Sequence, residues 1–271
     1  MNPILLAILA VTVIGVICAV FLAVASKIMA VPENELAKQI RACLPGANCG
    51  ACGYAGCDGY AKALAEEKGI QTNLCVPGAD TVSRQLSDLL GVEFQDVVEQ
   101  VAMVKCRGDC NKSRRRMDYR GVPSCAAARL LYSGHSACSY GCLGLGDCAL
   151  VCPEHAICIE NGIAHVDTRK CIGCGMCAKA CPSNLITLIA DVERAFVMCN
   201  SHSNGALVHK NCDVGCIGCR MCVRECPADA ISIVDNLATI DYEKCVDCGH
   251  CADVCKRGCI AFGDFSGAHR V

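Results

Sequence analysis

The sequence predicts an α+β protein with one apolar helix at its N-terminus and small cysteine-rich modules behind it. Three observations carry that expectation. Residues Ile4–Ala25 (ILLAILAVTVIGVICAVFLAVA) contain no charged residue. The chain has 29 cysteines in 271 residues, and most stand two or three residues apart in runs of four. Aromatic residues make up 4% and tryptophan is absent. Large apolar anchors are therefore scarce, and small cores need disulfides or metals to hold them. An odd number of cysteines excludes a complete internal disulfide set, and neighbours this close grip one metal centre more readily than they bridge each other.

The apolar stretch is long enough to cross a bilayer core as a helix. Ala23-Val24-Ala25 has the form of a signal-peptide cleavage site, but Met1-Asn2-Pro3 lacks Lys or Arg and the stretch exceeds a usual signal core. An uncleaved single-pass transmembrane anchor over 1–30 is expected in the inner (cytoplasmic) membrane. Lys27, Lys38 and Arg41 place the C-terminal bulk in the cytoplasm. Cys18 is expected to be a small apolar filler.

Pro32 and the acids after it start a helix over 32–42. A small helical single-cluster domain is expected over 31–95, with a helix over 58–68 and helical periodicity over 79–104 broken at Gly91. Residues 96–137 read as a connecting segment. They carry Cys106, Cys110, Cys125 and the basic run Lys112-Ser-Arg-Arg-Arg116, with Arg120. Such a run is usually a solvated face; the sharper expectation is that it docks an acidic protein or anionic lipid. Two longer units follow over 138–195 and 205–271. Each holds two cysteine motifs and short β-like runs: Ala156–Ile159, Ile163–Val166, Leu185–Leu188, Ala230–Val234 and Ala238–Asp241. This internal repeat points to a duplicated module.

Cys216, Cys219, Cys222 and Cys226-Pro227 form C-x2-C-x2-C-x3-C-P, the bacterial ferredoxin run. Cys171, Cys174, Cys177 and Cys181-Pro182 repeat it. Cys245, Cys248, Cys251 and Cys255 repeat it with Lys256 in place of Pro. Cys138, Cys142, Cys148 and Cys152-Pro153 read as a fourth copy with widened gaps. Three close thiolates wrap one face of a cubane, and the fourth cysteine ligates the other cluster of a pair. The expected ligand sets are therefore Cys138, Cys142, Cys148 with Cys181; Cys171, Cys174, Cys177 with Cys152; Cys216, Cys219, Cys222 with Cys255; and Cys245, Cys248, Cys251 with Cys226. Each long unit should be a ferredoxin-like βαββαβ di-cluster fold. Zinc is disfavoured, because its sites show two separated cysteine pairs. The formal charge of −2 becomes clearly acidic once each four-thiolate cubane adds about −2.

Cys49, Cys52, Cys57 and Cys75 form a different pattern, C-x2-C-x4-C-x17-C, among Gly46, Gly50, Gly53 and Gly56. The stretch LPGANCGACGYAGCDGYAKAL, behind one anchor helix and ahead of ferredoxin motifs, closely resembles the B subunit of the Rnf complex. CSYGCLGLGDCALVCP resembles that family's long form. The resemblance implies a [4Fe–4S] cluster on Cys49, Cys52, Cys57 and Cys75. It implies electron transfer between reduced ferredoxin and NAD coupled to Na⁺ or H⁺ translocation, with membrane, flavin-binding and NAD-binding subunits and soluble ferredoxin as partners. Enzyme activity would belong to the complex, and this chain needs no substrate site.

Five [4Fe–4S] clusters are expected. Cys106, Cys110 and Cys125, with Cys43 or Cys212, are candidates for part of a sixth, although packing is their expected role. Cys158, Cys199 and Cys259 read as buried small hydrophobes, His135 and His250 as packing or surface residues, and Asp247 as a non-ligand. No G-x-G-x-x-G or Walker sequence is present, so flavin and NAD chemistry belongs to partners. The alternative is a membrane-tethered polyferredoxin serving another enzyme such as a hydrogenase. Nothing in the chain points to nucleic acid.

Overall fold

The computed structural model describes residues 3–28, 34–67, 69–190 and 194–263. Residues 29–33, Lys68 and the end of the second long unit past 263, on which parts of the expectations above fall, lie outside the described residues.

The first helix, α1 (Pro3–Ile28), is 26 residues long. Its side chains are described continuously over 11–26, and nearly all are exposed there, Ile14, Ile17, Phe21 and Leu22 among them. Among the described residues no helix is long and apolar enough to cross a membrane. That described run is shorter than the Ile4–Ala25 segment from which the anchor is expected. The fold as shown is therefore mixed α and β, without a demonstrated span.

Helices α2 (Glu35–Cys43), α3 (Gly56–Glu66) and α4 (Ala79–Leu90) make the first module. Asn34 caps α2 by accepting from Leu36 N–H at 3.0 Å. Arg41 on α2 bonds Asp58 on α3 at 2.7 Å. Ile40, Tyr60, Leu64 and Leu86 close a core that also contains Cys57 and Cys75. Gly91 ends α4 with φ +65°, as a left-handed C-terminal residue does.

The helical expectation for 92–104 is corrected. Asp80 accepts from Val97 N–H at 2.8 Å, and Ser83 Oγ donates to Gln95 O at 2.8 Å. These bonds fold the chain back along α4. Strand β1 (Gln100–Val104) follows. Its Val-Ala-Met-Val run finds a strand partner, and that tertiary pairing overrides local helical periodicity.

Two βαββαβ units complete the chain. The first takes β1, α6 (Asp147–Leu150), β2 (Ile157–Glu160), β3 (Ile163–Val166), α7 (Met176–Ala180) and β4 (Ile186–Ala190). The second takes β5 (Arg194–Val197), α9 (Met221–Arg224), β6 (Ile231–Val234), β7 (Leu237–Ile240), α10 (His250–Asp253) and β8 (Ile260–Gly263). In each unit the outer strands pair antiparallel, Gln100 opposite Ala190 and Arg194 opposite Gly263, and the inner strands form a hairpin. Strand β1 thus lies well upstream of residue 138, and the first unit borrows it from the segment read as a connector. The remaining helices, α5 (Cys125–Arg129) and α8 (Gly205–Asn211), sit in the inserts that precede α6 and α9.

The connecting segment is structured. Ser113 bridges Cys212, Arg115 bridges Ser136, and Arg114 N–H donates to Asn211 O at 2.9 Å. Much of the basic run serves this scaffold. Arg116 donates to Tyr132 O, Ala137 O and Ser139 Oγ at 2.8, 3.3 and 3.2 Å. Lys112 pairs with Asp109 at 3.2 Å.

Candidate metal centres

The cores are built on cysteine. The second unit's buried cluster includes Cys199, Cys216, Cys222, Cys251 and Cys259 beside Ile231, Ile240 and Ile260. The first unit's includes Cys148 and Cys177 beside Ala102, Val104, Ile157 and Ile186. Among the described residues, no group of three or more His, Cys, Asp or Glu is drawn closely enough to hold a single metal ion.

Mutual proximity groups the thiols. Burial pushes Cys75 up to about 11, and the charges of Cys57, Cys52 and Cys49 add to it, so the four cysteines of the first module lie near one another. Burial pushes Cys177 up to about 11, with Cys171, Cys174 and Cys152 adding. Cys222 is likewise held at about 11, with Cys216, Cys255 and Cys219 adding. Cys251 stands with Cys245 and Cys248, and Cys245 feels Cys226. These four groups hold the residues that spacing brings together on paper.

The remaining group differs. Burial pushes Cys148 up to about 12, and the charges that add to it are those of Cys142, Cys125 and Cys181. Cys125, Cys142, Cys148 and Cys181 line one cavity, with Val104, Ala164 and Ile186. The fourth thiol there is Cys125; Cys138 does not line this cavity. The cause is legible on realignment. Cys142-Leu-Gly-Leu-Gly-Asp-Cys148 has the same length as Cys216-Ile-Gly-Cys-Arg-Met-Cys222, with Leu145 in the place of Cys219. Gly144 and Gly218 take φ +64° and +65°, and each sits against its unit's inner hairpin turn, at Gly162 O and Asn236 O. A Cβ on Gly144 would stand 2.2 Å from Gly162 O, so no larger residue fits. Cys125 fills the gap left by Leu145 from the first turn of α5. Asp147 fixes that turn, accepting from Cys125 N–H and Ala126 N–H at 2.9 Å and from Ser124 Oγ at 3.0 Å.

The sulfurs meet donors suited to a negative cluster. Ala156 N–H reaches Cys152 Sγ at 3.3 Å, Leu185 N–H reaches Cys181 Sγ at 3.5 Å, and Ala230 N–H reaches Cys226 Sγ at 3.3 Å. In each case the donor lies four residues past the cysteine. Such bonds favour the thiolate that an iron–sulfur cluster requires. Buried thiols, apolar walls and backbone donors aimed at sulfur all fit cubanes.

Other predicted residues fall elsewhere. Cys110 is exposed. Cys158, expected to be buried, is also exposed, because it points outward on β2, where its Sγ lies 3.2 Å from Glu160 Oε1. Cys43 donates to Gln39 O at 3.4 Å within α2. His135 stacks on Tyr119. Asp247 takes φ +50° at the position held by glycine in the other motifs, and accepts from Cys245 Sγ at 3.4 Å.

Cys259 is buried, as expected, but is not merely a filler. Its Sγ lies 3.5 Å from Cys255 Sγ, and its single S–H, donated there, holds Cys255 below the ordinary thiol range. A donor to ligand sulfur favours the reduced, more negative cluster. Cys259→Val should therefore lower one potential of the second unit. The shift should be roughly 40 mV at most, from a bond worth about 1 kcal/mol. Film voltammetry would read it, and an unchanged or raised potential would count against the donor.

A βαββαβ duplication with four-cysteine groups set in its cores defines a ferredoxin-type, multi-cluster iron–sulfur protein. Family models agree. Residues 44–77 match a putative Fe-S cluster model, 164–187 a 4Fe-4S binding domain, and 215–260 a 4Fe-4S dicluster domain. The chain is 41% identical to the B subunit of the proton-translocating ferredoxin:NAD(+) oxidoreductase complex of Clostridium ljungdahlii, over 96% of this chain and 93% of that one. It is 37% identical to the Na(+)-translocating counterpart of Acetobacterium woodii, over 96% and 78%. It is 39% identical to the B subunit of the ion-translocating oxidoreductase complex of Methanosarcina acetivorans, over 91% and 94%. The chain belongs to the family of Rnf-complex B subunits, and its cofactors are [4Fe–4S] clusters.

Proposed function

We propose that this chain is the electron-relay component of a membrane-bound complex that moves electrons between reduced ferredoxin and NAD and couples them to Na⁺ or H⁺ translocation. Bound clusters supply one-electron redox chemistry. The chain's own residues space them, bury them and set their surroundings. The proposed ligand sets are Cys49, Cys52, Cys57 and Cys75; Cys171, Cys174, Cys177 and Cys152; Cys125, Cys142, Cys148 and Cys181; Cys216, Cys219, Cys222 and Cys255; and Cys245, Cys248, Cys251 and Cys226.

One observation carries the relay reading. The first module and the first ferredoxin-like unit meet through their cysteine loops. Lys179 Nζ donates to Cys49 O at 2.8 Å, and Cys174 feels the charge of Cys49 ahead of its own motif partners. Electrons entering either module thus have a short route into the other.

We infer further that α1 is a single-pass anchor in the cytoplasmic membrane, with the cluster modules on the cytoplasmic side. Over 11–26 the apolar side chains of α1 are exposed all round, which suits lipid rather than a one-sided protein contact. Flavin-binding and NAD-binding subunits and soluble ferredoxin are the partners this reading requires. The test is anaerobic mixing of the purified full-length chain with reduced ferredoxin. Absorbance near 400 nm should bleach at a rate dependent on ferredoxin concentration and ionic strength, and the chain should co-purify with flavin-bearing membrane subunits. Clusters that ferredoxin does not reduce would overturn the reading.

A further inference from the structure

Four further cysteines, none within a matched family segment, converge where the two ferredoxin-like units meet. Cys106 follows β1, Cys138 precedes the loop of Cys142, Cys199 follows β5, and Cys212 caps α8. They line one cavity, as Cys125, Cys142, Cys148 and Cys181 line another. Cys199 and Cys212 are buried, and Cys106 and Cys138 are partly so. The charge of Cys138 bears on each of the other three.

The surroundings are those of a thiolate site. Cys216 N–H donates to Cys199 Sγ at 3.3 Å, and the peptide groups of Gly108 and Cys142 lie beside Cys106, that of Ser201 beside Cys199, and those of Val214 and Gly215 beside Cys212. A Cβ on Gly108 would stand 3.2 Å from Cys212 Sγ and 3.8 Å from Cys106 Sγ, and one on Gly141 would stand 3.6 Å from Cys138 Sγ. Glycine keeps the backbone close to the sulfurs at both places. Arg257 donates to Cys212 O, and Arg107 donates to Gly258 O at 2.9 Å. Asn211 Nδ2 reaches Ala137 O at 3.2 Å. These bonds clamp the connecting segment onto the second unit around the cavity.

We propose that Cys106, Cys138, Cys199 and Cys212 hold a sixth [4Fe–4S] cluster that joins the two ferredoxin-like units into one relay. Its position follows from two peptide groups. The N–H of Cys142, a ligand of the first unit, lies beside Cys106, and the N–H of Cys216, a ligand of the second, reaches Cys199 Sγ at 3.3 Å. The site therefore lies beside a ligand of each unit, with a hydrogen bond to the second. A cluster here takes one electron from one neighbour and gives one electron to the other, with no proton or further reactant. The inference rests on the relay reading above, and it makes the connecting segment part of the redox path.

The experiment is an iron, sulfide and zinc assay on the full-length chain purified anaerobically in detergent. Six cubanes give about twenty-four iron and twenty-four sulfide. The variants Cys138→Ala and Cys199→Ala/Cys212→Ala should each lose about four of both. Cys110→Ala, altered at an exposed cysteine outside every group, should lose none. In the wild type, about twenty iron, or one zinc with twenty iron, overturns the sixth cluster while leaving the relay reading standing. A wild type with no iron would overturn both. If a variant fails to fold, the wild-type count decides.

Discussion

A Cys125→Ala variant should lose one cluster from the first ferredoxin-like unit, about four iron atoms per chain, and the signals of the other sites should persist. Four thiolates face the cavity of Cys142, Cys148 and Cys181, and Cys125 is one of them. Removing one ligand from a buried cubane leaves an open iron corner, while the turn held by Asp147 through backbone N–H groups stays in place. Cys138→Ala should leave this cluster intact. EPR of the two variants side by side makes the comparison. Loss of the Cys142 site in Cys138→Ala but not in Cys125→Ala would reverse the assignment. Electron transfer through the unit should fall by orders of magnitude in Cys125→Ala, since the relay then has a missing member.

Stripping the iron should unfold both ferredoxin-like units cooperatively. Their cores hold few large side chains. The second packs five buried cysteines against three isoleucines, Leu237 and two alanines, and its strands are four residues long. Short two-stranded sheets are marginal alone, and metal binding in such modules is folding free energy. Anaerobic chelation with an oxidant should abolish the β signal in circular dichroism and remove the thermal transition. The first module should resist longer, because Ile40, Tyr60, Leu64 and Leu86 give it an apolar core of its own. Retention of a sharp transition by the iron-free chain would show that packing alone suffices.

Much of this was legible in the sequence. All five short β-like runs became strands within a residue or two, because branched residues flank each cysteine loop in a fixed pattern. Strands β1, β5 and β8 were missed. β1 lies in a helical-looking window, and β5 and β8 pair only with each other across the second unit. The cysteine runs revealed that cubanes are held, but position-by-position counting misread one of them. Cys138 looked like the first member of a widened motif, when Leu143-Gly144 aligns with Ile217-Gly218 and starts the loop at Cys142. Reading the glycine register first would have exposed the vacancy at Leu145. No local pattern announces Cys125, or the meeting of Cys106 with Cys199 and Cys212; tertiary contacts alone bring them together.

The pairing of β1 with β4 also fixes a timetable for biosynthesis. Chains emerge N-terminus first, and Gln100 meets Ala190 only after every ligand of the first unit has left the ribosome. Until then β1 offers an open edge, the kind that invites pairing with foreign chains. Iron–sulfur delivery to this unit therefore follows the emergence of β4, and the nascent segment between them has to be shielded from aggregation while it waits.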